Sequence, residues 1–586
     1  MRFLKKYICE IVLAVNLLLL SPMHDFSIWW NRPIINDAFG YYAYLPSVFI
    51  YHDLEYNFMQ EVIHKHYPDI AYLGDSKAAF VVNFKGKEVN KYPPGVAYFQ
   101  APFFFLGHLY ARAMGLEADG YSTCYMVFLC IGAMFWQYIF FKVLKRLFSY
   151  YSLSEISFAL TVPLIAFGTN VFFYTQMFGT YSHIYSMLSI ALFFYGGLRF
   201  FNSNNFLLAR KYFFWFCLGF ALTVVTRNIN GLCILLLPCM GFKFSRLREY
   251  LSFLSNKIAI ISLLVSGSIL FSMLLFWHIQ TGYWLIDSYP TESFDWLHPK
   301  ILRSLFSVHK GWFFYTPLAA LGLTGLFFAP KEFKWNSFLL LALIVYINSS
   351  WSAWDYGTGF SLRAYIDWYV LLALSMGFLL SAVEIKKFAL TGVLSLSLLF
   401  SGANLLFSVQ FLRGIISGSS QGLEYTIKNF FRLRPIMEFM QSKKSIVHSK
   451  IIKNDFNTEL PDKNAEVSEK VAFSKGIDTY FPNFFRSQAN FKIRYGSDVL
   501  LKDTTNSIFL CASIVDQKDS MLYWQQNSFN IYCLQNEWEK IETGFHIPEG
   551  LPLQNSRLRI FFWEPKGNSI CKIDNMYVEF MEVMSD

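Results

Sequence analysis

The stretch GVAYFQAPFFFLGHLYARAM, residues 95–114, is apolar enough to cross a bilayer, and whether it does decides the topology of everything after it. If it lies along one membrane face, the basic residues that follow fall on a single side. Those residues are Lys142, Lys145 and Arg146, then Arg199, Arg210 and Lys211, then Lys243, Arg246 and Arg248, then Lys331, Lys334, Lys386 and Lys387. They join Arg2, Lys5 and Lys6 at the N-terminal end. Lysine and arginine gather at the cytoplasmic ends of spans. If 95–114 crosses, every later cluster moves outside. The charges therefore predict a juxtamembrane or re-entrant helix here, with Pro93-Pro94 at its start.

Composition puts the chain in a bilayer in the first place. Of 586 residues, 54% are hydrophobic and 16% charged, against about 25% charged in an average soluble domain. Runs such as IVLAVNLLLL (11–20) and LLLALIV (339–345) have the character of membrane spans. Eleven spans are expected, at about 7–21, 121–147, 154–174, 180–201, 211–226, 229–243, 257–279, 311–330, 336–350, 364–384 and 387–409. The expectation is a polytopic α-helical protein of the inner (plasma) membrane, with its N-terminus cytoplasmic. Residues 1–410 form the transmembrane domain, and 22–120 a large first external loop, acidic overall. The net charge of +9 is accounted for by this placement and calls for no nucleic acid.

After residue 410 the composition changes. Residues 411–475 read as an interfacial segment, including LEYTIKNFFRLRP (423–435), and then a polar linker. From 476 to 586, short alternating runs such as NFKIRYG, SIFLCASIV, FNIYCL and RLRIFFWEP are separated by turn-like DTTN, PEG and PKGN. That pattern predicts an extracytoplasmic antiparallel β-sandwich. Trp524, Trp538 and Trp563 are read there as core residues, with stacking on a sugar ring as the alternative. Cys511, Cys533 and Cys571 contain no CxxC pair, and one disulfide would suit an exported domain. The other six cysteines lie in apolar runs as small hydrophobic residues.

Polar residues near the outer membrane face are where chemistry is to be sought, because they are costly there. Asp37, in NRPIINDAFGYYAY, is a candidate general base or the cap of a helix starting at Ala38. Asp53 reads as a plain loop or cap residue. Lys91 opens KYPPG, and at headgroup depth it either meets a lipid phosphate or snorkels. Arg227, in TVVTRNINGLCILL, binds an anion or a structural counter-charge. Arg363, in SSWSAWDYGTGFSLRAYIDWY, meets substrate or pairs with Asp355 or Asp367. His183 and the pair His309-Lys310 stand at further external helix starts, where structural roles compete with substrate contact. No HExxH or Walker loop is present in the sequence.

These motifs, in this order, resemble the GT-C superfamily of polyprenyl-phosphate-sugar-dependent glycosyltransferases, which includes protein O-mannosyltransferases and the lipid A aminoarabinose transferase. The resemblance covers roughly residues 1–410. Asp37 stands where that family has its first-loop catalytic acid, although Ala38 follows where Glu is usual. KYPPG (91–95) is similar to the family's KPP-type element, whose Lys is implicated in the carrier phosphate. VTRNINGL (225–232) resembles its short helix pair with a basic turn. HKGWFFYTP (309–317) and WDYGTGFSLRAYID (354–367) look like its late-loop signatures. Where many members carry a second carboxylate near the fourth span, this chain has Thr180, Tyr181, Ser182 and His183, and no metal or other cofactor is expected. The C-terminal sandwich resembles carbohydrate-binding jelly rolls.

What the resemblance implies is an inverting glycosyltransferase taking a sugar from a polyprenyl-phosphate carrier to an extracytoplasmic glycan, lipid or protein acceptor. Asp37 would be the base. Lys91, Arg227 and Arg363, with His183 and Lys310, would hold the phosphate and donor. A diphosphate-linked glycan ligase or polymerase, and a transporter or export scaffold without chemistry, remain as alternatives.

Overall fold

The computed structural model describes residues 2–25, 33–67, 80–289, 292–357 and 359–412, with 415–416, 426–427, 429–431 and 433. In the C-terminal part it describes 446–454, 465–467, 474, 476–482, 491–501, 508–528, 538–546, 553, 555–563 and 571–583. The chain divides into two compact units, 1–67 with 73–433 and 68–72 with 434–586.

The first unit is helical. α1 (Arg2–Asp25) is followed by α2 (Asp37–Pro46), α3 (Met59–His66), a hairpin of β1 (Val81–Phe84) and β2 (Lys87–Asn90), and α4 (Gly95–Ala113). Next come α5 (Thr123–Tyr150), α6 (Glu155–Gly168), α7 (Val171–Gln176), α8 (His183–Phe201) and α9 (Phe206–Thr226). Beyond a run of 3-10 turns lie α10 (Leu247–Phe253), α11 (Lys257–Thr281), α12 (Ile301–Phe306), α13 (Trp312–Tyr315), α14 (Pro317–Leu323) and α15 (Lys331–Ser350). The 3-10 turn Arg363–Trp368 runs into α16 (Tyr369–Val383), and α17 (Lys387–Leu412) ends the unit's long helices.

Among the described residues, six stretches are long and apolar enough to cross a membrane: α5, α8, α9, α11, Arg363–Val383 and α17. The chain is a multi-pass membrane protein. α8 and Arg363–Val383 are 89% and 83% buried, so they form the centre of the bundle, whereas α11 and α17 are only 22% buried. Their exposed sides carry Leu264, Phe271 and Ile279 on α11, and Leu398 and Leu399 on α17. Contiguous apolar surface of that kind suits lipid tails. α8 and α9 pack backbone to backbone at Gly219, where a Cβ would lie 2.3 Å from the Phe193 nitrogen. Small residues at such crossings are what lets membrane helices approach.

Several expected spans are broken. Residues 229–243 form 3-10 turns, Asn228–Leu236 and Pro238–Met240, not an α-helix. Asn230 and Pro238 interrupt the apolar run, and the Asn230 amide is turned inward to a carboxylate. The 154–174 span divides at Thr169, whose backbone is extended between α6 and α7. The 311–330 span divides at Thr316-Pro317, because proline removes an amide donor. Among the described residues, two shorter apolar helices, Glu155–Gly168 and Pro317–Phe328, stand beside the six long stretches, as do the helices α1, α4 and α15. The segment 95–114 is one helix, α4, with Pro102 inside it, packed on α2 and α5.

The second unit is built of strands. In chain order they are β3 (Ile446–Asn454), β4 (Ala465–Val467), β5 (Ile477–Tyr480), β6 (Phe491–Leu501), β7 (Phe509–Val515), β8 (Met521–Ser528), β9 (Trp538–His546), β10 (Arg557–Trp563) and β11 (Cys571–Val583). One sheet has the order β5-β10-β7-β8; the other has β3-β11-β6-β9, with β4 also on β11. All their pairings are antiparallel. Leu510, Ile514, Leu558, Ile560 and Phe562 of the first sheet share one buried core with Ile493, Tyr495, Val578 and Phe580 of the second. This is a two-sheet sandwich.

Three expectations change here. Residues 446–454, read as linker, are a strand because Ile446–Asn454 pairs along nearly the whole length of β11. Cys511 and Cys571 are buried free thiols, while Cys533 and the FNIYCL run lie outside the described residues. None of the three tryptophans belongs to the buried core. On β10 the even positions 558, 560 and 562 face inward, so Trp563 faces out with Phe561, and Trp524 packs on both rings. Trp538 is 47% exposed. Most of the expected interfacial segment 423–435 lies outside the described residues.

Candidate functional site

Asp37 is the first residue of α2, set there by Asn36, whose φ of 53° lies in the left-handed region that asparagine tolerates. The cap reading does not hold, because α2 has no side-chain cap bond. The Asp37 carboxylate instead accepts a hydrogen bond from Arg363 Nη2 at 2.5 Å. The two differ in access: the Asp37 side chain is 26% exposed and the Arg363 side chain 6%. Arg363 is further held by the ring of Tyr181, 4.8 Å from its guanidinium carbon. Arg363 thus pairs with neither Asp355 nor Asp367.

Asp367 serves a second cation. Its Oδ2 accepts from Arg227 Nη1 at 2.9 Å and from Asn230 Nδ2 at 2.8 Å, and its Oδ1 lies 2.8 Å from His183 Nδ1. His183 and Asp367 are fully buried, while the Arg227 side chain stays 14% exposed. The ring of Tyr356 faces Arg227 at 5.5 Å and Arg363 at 6.0 Å. His183, expected at the substrate, therefore stands behind Arg227 and orients it through Asp367. A buried imidazole needs a polar partner, and the carboxylate supplies one.

Lys91 lies over Tyr92 and Tyr289, its ammonium 5.3 and 5.6 Å from the ring centroids. The chain returns here because Gly95, at the start of α4, touches the end of α9. A Cβ on Gly95 would lie 2.4 Å from the Val225 carbonyl and 2.5 Å from the Thr226 nitrogen. The KYPPG element is thereby packed against the residues that carry Arg227. Glu292, unnoticed in the sequence, joins the same neighbourhood. Burial holds its carboxyl above the usual range, Lys91 pulling it down and Asp37 pushing it up. Its Oε2 is buried without a hydrogen-bond partner. One acid in a polar loop carries no sequence signal that would single it out.

Lys310 departs most from expectation. Its side chain is buried and its Nζ donates to the carbonyl oxygens of Gly357, at 2.7 Å, and Gly359. Burial pushes its amine down to about 7, with Arg363 adding to the fall and Asp355 opposing it. An ammonium enclosed in protein must find acceptors, and here it finds carbonyls. Those carbonyls belong to a turn in which Tyr356, Gly357 and Ser361 all have φ near +57°, at 58°, 58° and 56°. Next to it, His309 Nε2 lies 3.0 Å from Asp355 Oδ2. Burial would raise the Asp355 carboxyl, but His309, the Gly357 amide and Lys310 together hold it below the usual range. Trp354 is buried beside His309. Asp53, as expected, caps the turn before α3, accepting from the amides of Glu55 and Asn57 at 2.9 and 2.7 Å.

Four helical segments, α2, α4, α8 and the Arg363–Trp368 turn leading into α16, begin around this neighbourhood. Their amide ends add partial positive charge to that of Lys91, Arg227 and Arg363, which favours an anion. Facing the cations are one partly exposed carboxylate, Asp37, and Glu292. Among the described residues, the group of three metal-ligating side chains with atoms within 4.8 Å of one another is His66, Glu117 and Asp119. It is formed by the end of α3 and the turn between α4 and α5, and Lys65 is ion-paired to both of its carboxylates.

No family model and no curated protein matches the chain. Among solved structures, the archaeal oligosaccharyltransferase AglB from Archaeoglobus fulgidus, in complex with an inhibitory peptide and a dolichol-phosphate, aligns with a TM-score of 0.37 and 11% identity. The alignment covers 74% of this chain and 60% of that one.

Proposed function

We propose that the protein is an integral membrane glycosyltransferase that moves a sugar from a polyprenyl-phosphate carrier to a hydroxyl acceptor on the extracytoplasmic side. The observation that carries this reading is the meeting of Asp37, Lys91, Arg227 and Arg363, drawn from four distant segments, around one partly exposed carboxylate. In this reading Asp37 accepts the proton of the acceptor hydroxyl. The acceptor oxygen bonds to the anomeric carbon as the bond from that carbon to the carrier phosphate oxygen breaks. The configuration inverts, and the carrier leaves as polyprenyl phosphate, its charge met by Arg227 and Lys91. Arg363 keeps Asp37 aimed at the acceptor hydroxyl through their ion pair.

The eleven-span topology, the cytoplasmic N-terminus and the inner-membrane location belong to the same proposal, as does its independence of metal. The C-terminal sandwich is proposed to hold glycan on the outer face of the sheet that carries Trp524 and Trp563. The test is release of free polyprenyl phosphate by purified protein from a panel of polyprenyl-monophosphate sugars, with crude membrane extract as acceptor. Release that depends on Asp37 supports the proposal. Release from diphosphate-linked donors alone moves the reading to a ligase or polymerase, and release from neither leaves a transporter or scaffold.

A further inference from the structure

A second cluster of cations lies at the other end of the helices that build the site. α8 carries His183 at one end and Arg199 near the other, and α9 carries Arg227 just past one end and Lys211 near the other. Each pair is sixteen residues apart, or about 24 Å along a helix at about 1.5 Å per residue. α5 reaches the same far end at Tyr150. There the three helices enclose a cavity of about 330 Å³, lined by Tyr150, Arg199, Asn202, Leu208, Lys211 and Tyr212 among others.

The charges around this cavity are not balanced. Arg199 and Lys211 share the ring of Tyr212, at 5.0 and 5.1 Å from its centroid, and Arg199 Nη2 donates to its hydroxyl at 3.4 Å. Tyr195, whose ring stands at 90° to that of Tyr212, is met by Arg146. Other cations on this side are neutralised: Lys142 by Glu10 at 2.9 Å, and Arg246 by Glu249 at 2.9 Å. No ion pair with a carboxylate is seen for Arg146, Arg199 or Lys211 among the described residues. Two cations on one ring repel each other unless an anion sits between them. The flank of the cavity is apolar and open, with Leu207, Leu208 and Trp215 of α9 exposed at 54%, 79% and 40%.

We propose that this cavity binds the headgroup of an anionic phospholipid in the leaflet opposite the candidate active site. Arg199 and Lys211 grip the phosphate, Tyr212 and Asn202 border it, and the acyl chains lie along Leu207, Leu208 and Trp215. The apolar flank is what selects a lipid over a free anion, since a soluble phosphate has no use for it. Basic pockets between membrane helices on such a face are known to take anionic headgroups.

The test uses the full chain in a neutral detergent, titrated with phosphatidylglycerol, phosphatidylcholine or inorganic phosphate, with bound lipid counted by native mass spectrometry. The expected result is at least tenfold tighter binding of phosphatidylglycerol than of phosphatidylcholine, lost in the double variant Arg199→Gln with Lys211→Gln. The variant Arg199→Lys with Lys211→Arg should retain it, separating charge from folding. Lys386→Gln with Lys387→Gln, which removes two cations beyond the end of α16, should also retain it. Equal binding of the two lipids, displacement by inorganic phosphate at comparable concentration, or the same loss from the Lys386 and Lys387 variant would each overturn the proposal.

Discussion

Arg363 Nη2 and Asp37 Oδ2 lie 2.5 Å apart although 326 residues separate them in the chain. The guanidinium is enclosed and the carboxylate partly open, so the pair presents an oriented anion to the outside and keeps its counter-charge behind. Asp367 does for Arg227 what Asp37 does for Arg363, with the polarity of access reversed: there the carboxylate is enclosed and the cation partly open. A site with one open carboxylate and one open cation results from two similar ion pairs turned opposite ways.

If Asp37 is the base, Asp37→Asn should lower transfer by about 100-fold or more, the usual scale for losing a general base. The loss should fall on kcat, with KM for the lipid donor little changed. A steady-state assay of polyprenyl phosphate release reads both. Full activity in a correctly inserted Asp37→Asn protein would remove the base assignment.

Asp367→Asn should act on the fold. It leaves Arg227 without its counter-charge and His183 without its carboxylate partner. Breaking a buried ion pair from one side costs about 3–5 kcal/mol. A clear fall in the thermal midpoint, measured on protein in detergent, is expected, and an unchanged midpoint would mean that Asp367 is not holding the two segments together.

Gly95→Ala probes the contact between the KYPPG element and α9. The added methyl would meet the Val225 carbonyl at 2.4 Å, a backbone atom that cannot swing aside. Overpacking of this kind costs about 1–3 kcal/mol. Because the strain separates Lys91 from Arg227, KM for the donor should rise more than kcat falls.

Lys310 gives a pH dependence with a defined sign. Its amine is pushed down to about 7 in the folded protein, below the ordinary lysine value, so unfolding takes up a proton between the two. Stability should therefore rise as pH increases from about 7 toward the lysine range and stay level with respect to this group below 7. In Lys310→Met that rise should disappear from a plot of thermal midpoint against pH. A rise that persists unaltered would assign the effect to other groups.

In the C-terminal sandwich, Phe562→Ala should cost about 3–5 kcal/mol, as expected for a buried aromatic, and Trp563→Ala distinctly less. Phe562 is fully buried and its neighbour faces outward. Denaturant melts of the full chain, followed through the tryptophan signal of this unit, would distinguish them. Equal losses would mean that β10 is set one residue out of register.

The membrane character, the long helices and the strand-rich end were legible because each leaves a repeated local pattern. Among the described residues, six helices of membrane length follow from sustained apolar runs, and β10 and β11 from the partial alternation of RLRIFFW and ICKIDNMYVEF. Breaks inside apolar runs were harder to read. Asn230 and Pro238 look tolerable in a span until the Asn230 amide is seen bound to Asp367. The strand at 446–454 was hidden because the residues around it are polar and it gains its order from pairing with β11.

The sequence by itself determined that the chain enters a membrane, and which acids and bases stand at helix ends. Hydrophobicity and charge are properties of single residues summed over short windows, so they survive without knowledge of partners. Which charge answers which was decided by tertiary structure alone. Asp355, Asp367 and Asp37 were all available to Arg363, and the buried turn at 363–368 points Arg363 to Asp37 while turning Asp367 to Arg227. Lys310 likewise looked like a substrate contact until the fold closed over it and left two carbonyls as its acceptors. An ion pair depends on distance and desolvation between residues far apart in the chain, and neither quantity is written in a local window.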